Sequence, residues 1–116
     1  MSELHPNRQA PGIVRATEFS LGGERLRLAA WAGPDGALAA VTVGWGKHGS
    51  LTAGLMDAYS AAVTAGLEHG VPPADLLRPV RGMRFPPAGN TSDPQIPCAD
   101  SVADYLSQRL LMDWRR

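Results

Sequence analysis

Between Ile13 and Trp45 the chain alternates apolar and polar residues in three short runs broken by two turns, and that pattern leaves few folds open. "IVRATEFSL" alternates in part, and "GG" at 22–23 turns the chain. "ERLRLAAWA" then sets Leu26, Leu28 and Ala30 on one face. "GPDG" at 33–36 is turn chemistry, with proline at the first central position and Asp-Gly behind it. "ALAAVTVGW" returns as a third strand, with Val41 and Val43 to one side and Ala40, Thr42 and Gly44 to the other. A three-stranded antiparallel meander of this kind needs a cover for its apolar face.

The cover follows in sequence. From Ser50, an N-capping residue, Leu51, Leu55, Tyr59, Ala62 or Val63, and Gly66 or Leu67 recur at helical spacing, until Gly70-Val71-Pro72 stops the helix. Its remaining residues are small, and glycines at 54 and 66 each cost about 1 kcal/mol relative to alanine. Such a cost is accepted where another backbone comes close, either inside one subunit or at a homodimer seam. "PPADLLRPV" is a short helix from Pro73, stopped near Pro79. Residues 81–97 form a proline-rich connection ordered by contacts rather than by its own structure. A last helix, from about Cys98 or Asp100, carries Val102, Tyr105, Leu106, Leu110 and Trp114 on one stripe.

The fold expected is α+β: a three-stranded antiparallel β-meander followed by three helices packed on one face. Leu28, Val41, Val43, Leu55, Tyr59, Val63, Leu67, Val102, Leu106 and Leu110 are the expected core. Residues 1–12, polar and broken by Pro6, Pro11 and Gly12, read as a flexible arm, and 13–116 as one domain.

Charge excludes several functions. Eleven basic and eleven acidic residues cancel, so nothing asks for nucleic acid or an anionic membrane, and self-association stays open. The polar N-terminal stretch is unlike a signal peptide, and no apolar run reaches membrane-spanning length; a cytoplasmic protein is expected. The single cysteine, Cys98, has no internal disulfide partner and reads as a small buried hydrophobe.

Chemistry has few places to reside. Gly46, Lys47, His48, Gly49 and Ser50 combine backbone donors, a lysine and a helix start, which suits an anion. The lysine precedes the second glycine, unlike a P-loop, and the loop reads first as a strand-to-helix corner. Arg78, Arg81 and Arg84 lie three apart, but Pro79 and Gly82 keep them off one helical face, and pairing with Asp75 or Asp93 is expected. His5, His48 and His69 have no metal spacing and read as solvated surface. No catalytic constellation, metal site or cofactor site emerges.

Several motifs in order nevertheless resemble one family. "GKHGSLTAGLMDAYSAAVTAGLEHGVP", "RGMRFPPAG" and "DPQIPCADSVADYL" look like the TSCPD domain in the C-terminal region of adenosylcobalamin-dependent (class II) ribonucleotide reductases. The resemblance runs from "HPNR" through "YLSQRLLMDW", nearly the whole chain. Two positions depart: His48 stands where the family usually has an acid, and Pro86 where its "RFEP" has glutamate. The resemblance implies a structural or regulatory role, since the family's catalytic barrel, its radical-generating cysteines and its cobalamin site lie outside this region. The expectation is a stand-alone, non-catalytic module acting by protein association, as a homodimer or with a ribonucleotide reductase. Two alternatives stay open: a nucleotide- or anion-binding regulator using Lys47 to Ser50 and Arg84, and a subunit completing a reductase in trans.

Overall fold

The computed structural model describes residues 14–45 and 51–114. Three strands, β1 (Val14–Leu21), β2 (Glu24–Ala32) and β3 (Leu38–Trp45), form an antiparallel sheet in the order β1-β2-β3. Helix α1 (Leu51–Glu68) follows, then the short α2 (Pro73–Leu77), which runs into a 3-10 turn at Arg78–Val80. Two-residue strands β4 (Gly89–Asn90) and β5 (Cys98–Ala99) pair with each other, and α3 (Val102–Asp113) ends the described fold. The α+β meander with helices laid on its apolar face is therefore as the sequence predicts.

Local chemistry sets the turns. Gly22 and Gly23 both have positive φ, and a Cβ at Gly22 would run into the Ala88 backbone. In the second turn the Gly36 N–H donates to the Gly33 carbonyl at 2.9 Å and Asp35 Oδ1 accepts from the Ala37 N–H at 3.0 Å. The register puts Leu28 opposite Val43 and Ala30 opposite Val41, so the buried residues of neighbouring strands share one face. Ala40, expected on the other face, is also buried; it sits opposite Trp31, next to a register shift at Trp31/Ala32.

Both sheet edges are occupied in part. On β3 the Thr64 hydroxyl of α1 accepts from the Val41 N–H at 3.1 Å and donates to the Val41 carbonyl at 3.3 Å. On β1 the Ser20 N–H donates to Ser92 Oγ at 2.9 Å, and Ser92 N–H returns a bond to the Ser20 carbonyl. Free edge groups invite unwanted pairing, and these contacts remove some of them.

α1 ends as its sequence predicts. Gly70, with φ +84°, donates to the Leu67 carbonyl, and Val71 N–H reaches back to the Gly66 carbonyl, a Schellman closure. The expected cap Ser50 lies outside the described residues. Tyr59 donates its hydroxyl to the Leu76 carbonyl at 2.9 Å, and a Cβ at Gly66 would meet the Leu76 side chain at 2.9 Å. A side chain at 66 would therefore have to displace the Leu76 methyls where α2 approaches.

The phase of α1 is where the sequence reading fails. Leu55, expected in the core, points outward together with Leu51; they are 59% and 79% exposed. Met56, Ser60 and Val63 face the sheet instead, with Tyr59 and Leu67 half-buried beside them. The helix is apolar or small on both faces, so periodicity alone could not tell inside from outside. Leu28, Val41, Val43, Val63, Val102, Leu106 and Leu110 are buried as expected.

α3 starts later than expected, at Val102, because Ser101 is its cap: Ser101 Oγ accepts from the Asp104 N–H at 3.0 Å. Cys98 belongs to β5 and is exposed, not buried, because strand alternation turns Ala99 inward. The connection between α2 and α3 is ordered by contacts, as its composition suggests, and beyond the 3-10 turn its regular structure among the described residues is β4 and β5.

Candidate functional site

The largest polar cluster joins α3, β1 and the 91–96 segment. Asp93 Oδ2 accepts from the Tyr105 hydroxyl at 2.7 Å and from Arg109 Nη1 at 2.9 Å, and its Oδ1 accepts from the Gln95 N–H at 2.9 Å. Arg109 also donates through Nη2 to Gln95 Oε1 and Asp113 Oδ1, each at 2.9 Å. Arg15 of β1 reaches Asp113 Oδ1 at 3.4 Å. Tyr105 stacks on Phe19 with ring centroids 3.9 Å apart. Asp104 makes a second anchor: its carboxylate accepts from the Gly82 and Asp100 N–H groups, at 2.7 and 2.9 Å.

Electrostatics in this cluster follow from burial and pairing. Burial alone would raise the Asp93 carboxyl, but bonds from Tyr105, Gln95 N–H and Arg109 outweigh it and hold its pKa below the usual carboxylate value. Burial first, and then the Asp93 acceptor, push the Tyr105 hydroxyl upward. Burial opposes the charge on Arg109, yet Asp113 and Asp93 more than restore it, and its pKa is raised. Tyr59, away from this cluster, is pushed up to about 12 by burial. Within the cluster Arg109 is paired with both Asp93 and Asp113, and Arg15 reaches Asp113 as well. The cluster is a clamp that fastens the connection to α3.

The residues singled out in the sequence are scattered. Gly46, Lys47, His48, Gly49 and Ser50 lie outside the described residues. Arg84 is exposed and only grazes Asp100, at 4.0 Å. It lines an open recess with Phe85, Pro86, Cys98 and Asp100. Asp93 is occupied by Arg109, so the expected pairing with the 78–84 arginines does not form; Arg78 and Arg81 have no ion pair among the described residues. His69, as expected, is surface, with Nδ1 2.9 Å from the Ala65 carbonyl. No group of three or more metal-ligating side chains occurs among the described residues.

The remaining unusual surface is the outer face of α1. Leu51, Leu55, Ala58, Ala62 and Ala65 are all exposed and stand alternately four and three residues apart, one continuous stripe opposite the Met56–Val63 face. Gly54 lies in the same stripe, and a Cβ there would meet nothing within 4 Å. No contact inside the described subunit requires a glycine at that position.

Comparisons with known proteins fix the class. The TSCPD domain matches residues 12–113. The chain is 42% identical over 104 residues to a vitamin B12-dependent ribonucleotide reductase of Streptomyces avermitilis, covering 90% of this chain and 11% of that protein. The corresponding reductase of Rhodopirellula baltica is 32% identical over 93 residues, 80% of this chain and 9% of its own length. That of Agrobacterium fabrum is 26% identical over 113 residues, 97% of this chain and 9% of its own length. No solved structure matches. The chain belongs to the TSCPD domain family, and it spans about a tenth of the length of these curated relatives.

Proposed function

We infer that this TSCPD domain is a non-catalytic module that acts by protein association, accessory or regulatory to a vitamin B12-dependent ribonucleotide reductase, with the outer face of α1 as its docking surface. The observation that carries the reading is the stripe headed by Leu51 and Leu55, the two most exposed large hydrophobic residues described. A helix that is apolar on both faces is ordinarily covered on both. Nothing in the described subunit covers this one. The polar clamp is consistent with the same reading: among the described residues its charges are paired with one another and hold the connection to α3. A cytoplasmic setting, expected from the sequence, goes with this role.

The reading is tested by titrating the chain into a relative's reductase from which the matching region has been deleted, and separately into itself, by isothermal calorimetry. Association in either titration that is lost in Leu51→Glu/Leu55→Glu, with the circular dichroism spectrum unchanged, is the expected result. Absence of heat in both titrations, or association indifferent to the double substitution, refutes it.

A further inference from the structure

We propose that the partner on the α1 face is a second copy of this chain, docked antiparallel about a two-fold axis at Ala58. The proposal rests on the reading of that face as the docking surface. It comes from how the stripe is composed, large at one end and small at the other.

A helix rises 1.5 Å per residue, so Leu51 and Ala65, seven residues to either side of Ala58, both lie about 10.5 Å from its level. An antiparallel copy sharing a two-fold at Ala58 therefore places each Leu51 on its partner's Ala65. Leu55 lands against Ala61 and Ala62, and Ala58 meets itself. Each large side chain faces a small one, so ridges fill gaps along the seam. A parallel copy would set leucine on leucine at one end and alanine on alanine at the other, leaving a gap. An isologous interface requires this kind of self-complementarity.

Gly54 supplies an independent reason. Gly66 is explained by Leu76, but the space where a Gly54 Cβ would lie is empty within the described subunit. In the antiparallel pair Gly54 comes level with the partner's Ala62, where a missing Cβ lets the helix axes approach to the short end of the usual 8–10 Å range. Charge permits the encounter, because eleven acids and eleven bases cancel in each copy. Within the stripe no charged residue has to be desolvated. The 18-residue helix is about 27 Å long, and one face of it falls short of the about 800 Å² per partner of a standard interface. The dimer therefore belongs to the weak, reversible class.

The test is site-directed cross-linking of the full chain in a Cys98→Ser background, beside light scattering over a concentration series reaching the millimolar range. Helix axes 8–10 Å apart bring the two Ala58 positions within disulfide reach. Ala58→Cys is expected to form a disulfide dimer on mild oxidation. Leu51→Cys and Ala65→Cys are each expected to stay monomeric alone but to cross-link when mixed. Wild type should show a reversible monomer–dimer equilibrium, which Leu55→Glu shifts at least tenfold toward monomer. Cross-linking of Leu51→Cys with itself would establish a parallel pair and overturn the proposal. So would a dimer that survives Leu55→Glu, or a chain monomeric throughout with no disulfide at position 58. If that monomeric chain still binds the truncated reductase through Leu51 and Leu55, the second copy is excluded while the docking surface stands.

Discussion

α3 and α1 cover the same sheet, and they are built on opposite principles. Along α3 the polar residues Asp104, Arg109 and Asp113 all find partners, and they leave that helix one way to face. Along α1 only Tyr59 and Thr64 tie the helix to its surroundings through side-chain bonds that the described residues show. Apart from the exposed Asp57 and Glu68, its other positions are small or apolar on both faces. The difference teaches where each helix is finished: the charged side chains of α3 are satisfied within the subunit, whereas α1 is packed on one face and left apolar on the other. Breaking a contact should therefore cost folding in α3 and, on the outer face of α1, association instead.

The largest expected effect comes from the clamp. Asp93→Ala leaves the Arg109 guanidinium and the Tyr105 hydroxyl without their shared acceptor in a nearly buried site. Breaking a buried pair by removing one partner costs about 3–5 kcal/mol when the remaining charge is left alone; Arg109 keeps Asp113, so the lower end, about 3 kcal/mol, is expected, read from urea denaturation of the two proteins. The pH dependence has a definite sign. Because the folded Asp93 carboxyl sits below its ordinary value of about 3.9, its contribution is fully present above that value and is lost as pH falls through the folded pKa. Asp93→Asn should accordingly flatten the acid limb of the stability profile. An acid limb as steep as that of wild type would remove Asp93 from the clamp.

Next come two neighbours on α1 that should behave oppositely. Met56→Ala empties a core position and should cost about 2–5 kcal/mol. Leu55→Ala, one residue away, should stay within about 0.5 kcal/mol in the monomer, because Leu55 is already largely in water. Thermal unfolding at low concentration measures both. Equal losses would mean that the helix has the phase its sequence first suggests.

That pair also shows what was legible in the sequence and what was not. The meander could be read because strand alternation admits only one buried face: Leu26, Leu28, Val41 and Val43 had nowhere else to go. The Gly70 stop was legible because its closure is local. The phase of α1 was not, because Leu51–Leu55–Ala62 and Met56–Ser60–Val63 are both plausible stripes and only the sheet chooses between them. Asp93, Tyr105 and Arg109 escaped for a different reason. Arg109 and Asp113 do show the i, i+4 spacing of a helical ion pair, but the meeting of Arg109 with Asp93 crosses 16 residues of sequence and depends on the path the connection takes. Cys98 was misplaced because a two-residue strand carries too little pattern to show its phase.

The two interior glycines of α1 give a smaller and cleaner contrast. Gly54→Ala should stabilise the monomer by up to about 1 kcal/mol, since alanine is the better helix former and the site is open. Gly66→Ala should lose that gain, because its Cβ would press on Leu76 at 2.9 Å. If the α1 face is the dimer seam, Gly54→Ala also weakens self-association while raising the melting temperature of the monomer. A change that stabilises the subunit and loosens its assembly is difficult to obtain from any arrangement in which Gly54 merely faces solvent.

The smallest expected effect concerns Asp57, which is exposed on the flank of the α1 stripe. In an antiparallel pair centred at Ala58 the two copies of Asp57 fall on the same side of the seam, close to the two-fold. Two like charges held there through solvent repel weakly, and added salt screens that repulsion. Raising ionic strength should therefore tighten the dimer a few-fold, and Asp57→Asn should reproduce the gain at low salt and abolish further response to it. In a parallel pair the two copies of Asp57 would flank opposite sides of the seam, and both effects should shrink. Sedimentation equilibrium at two salt concentrations, wild type beside Asp57→Asn, makes the comparison; a dimer that loosens with salt in both proteins would place the two-fold elsewhere along the helix.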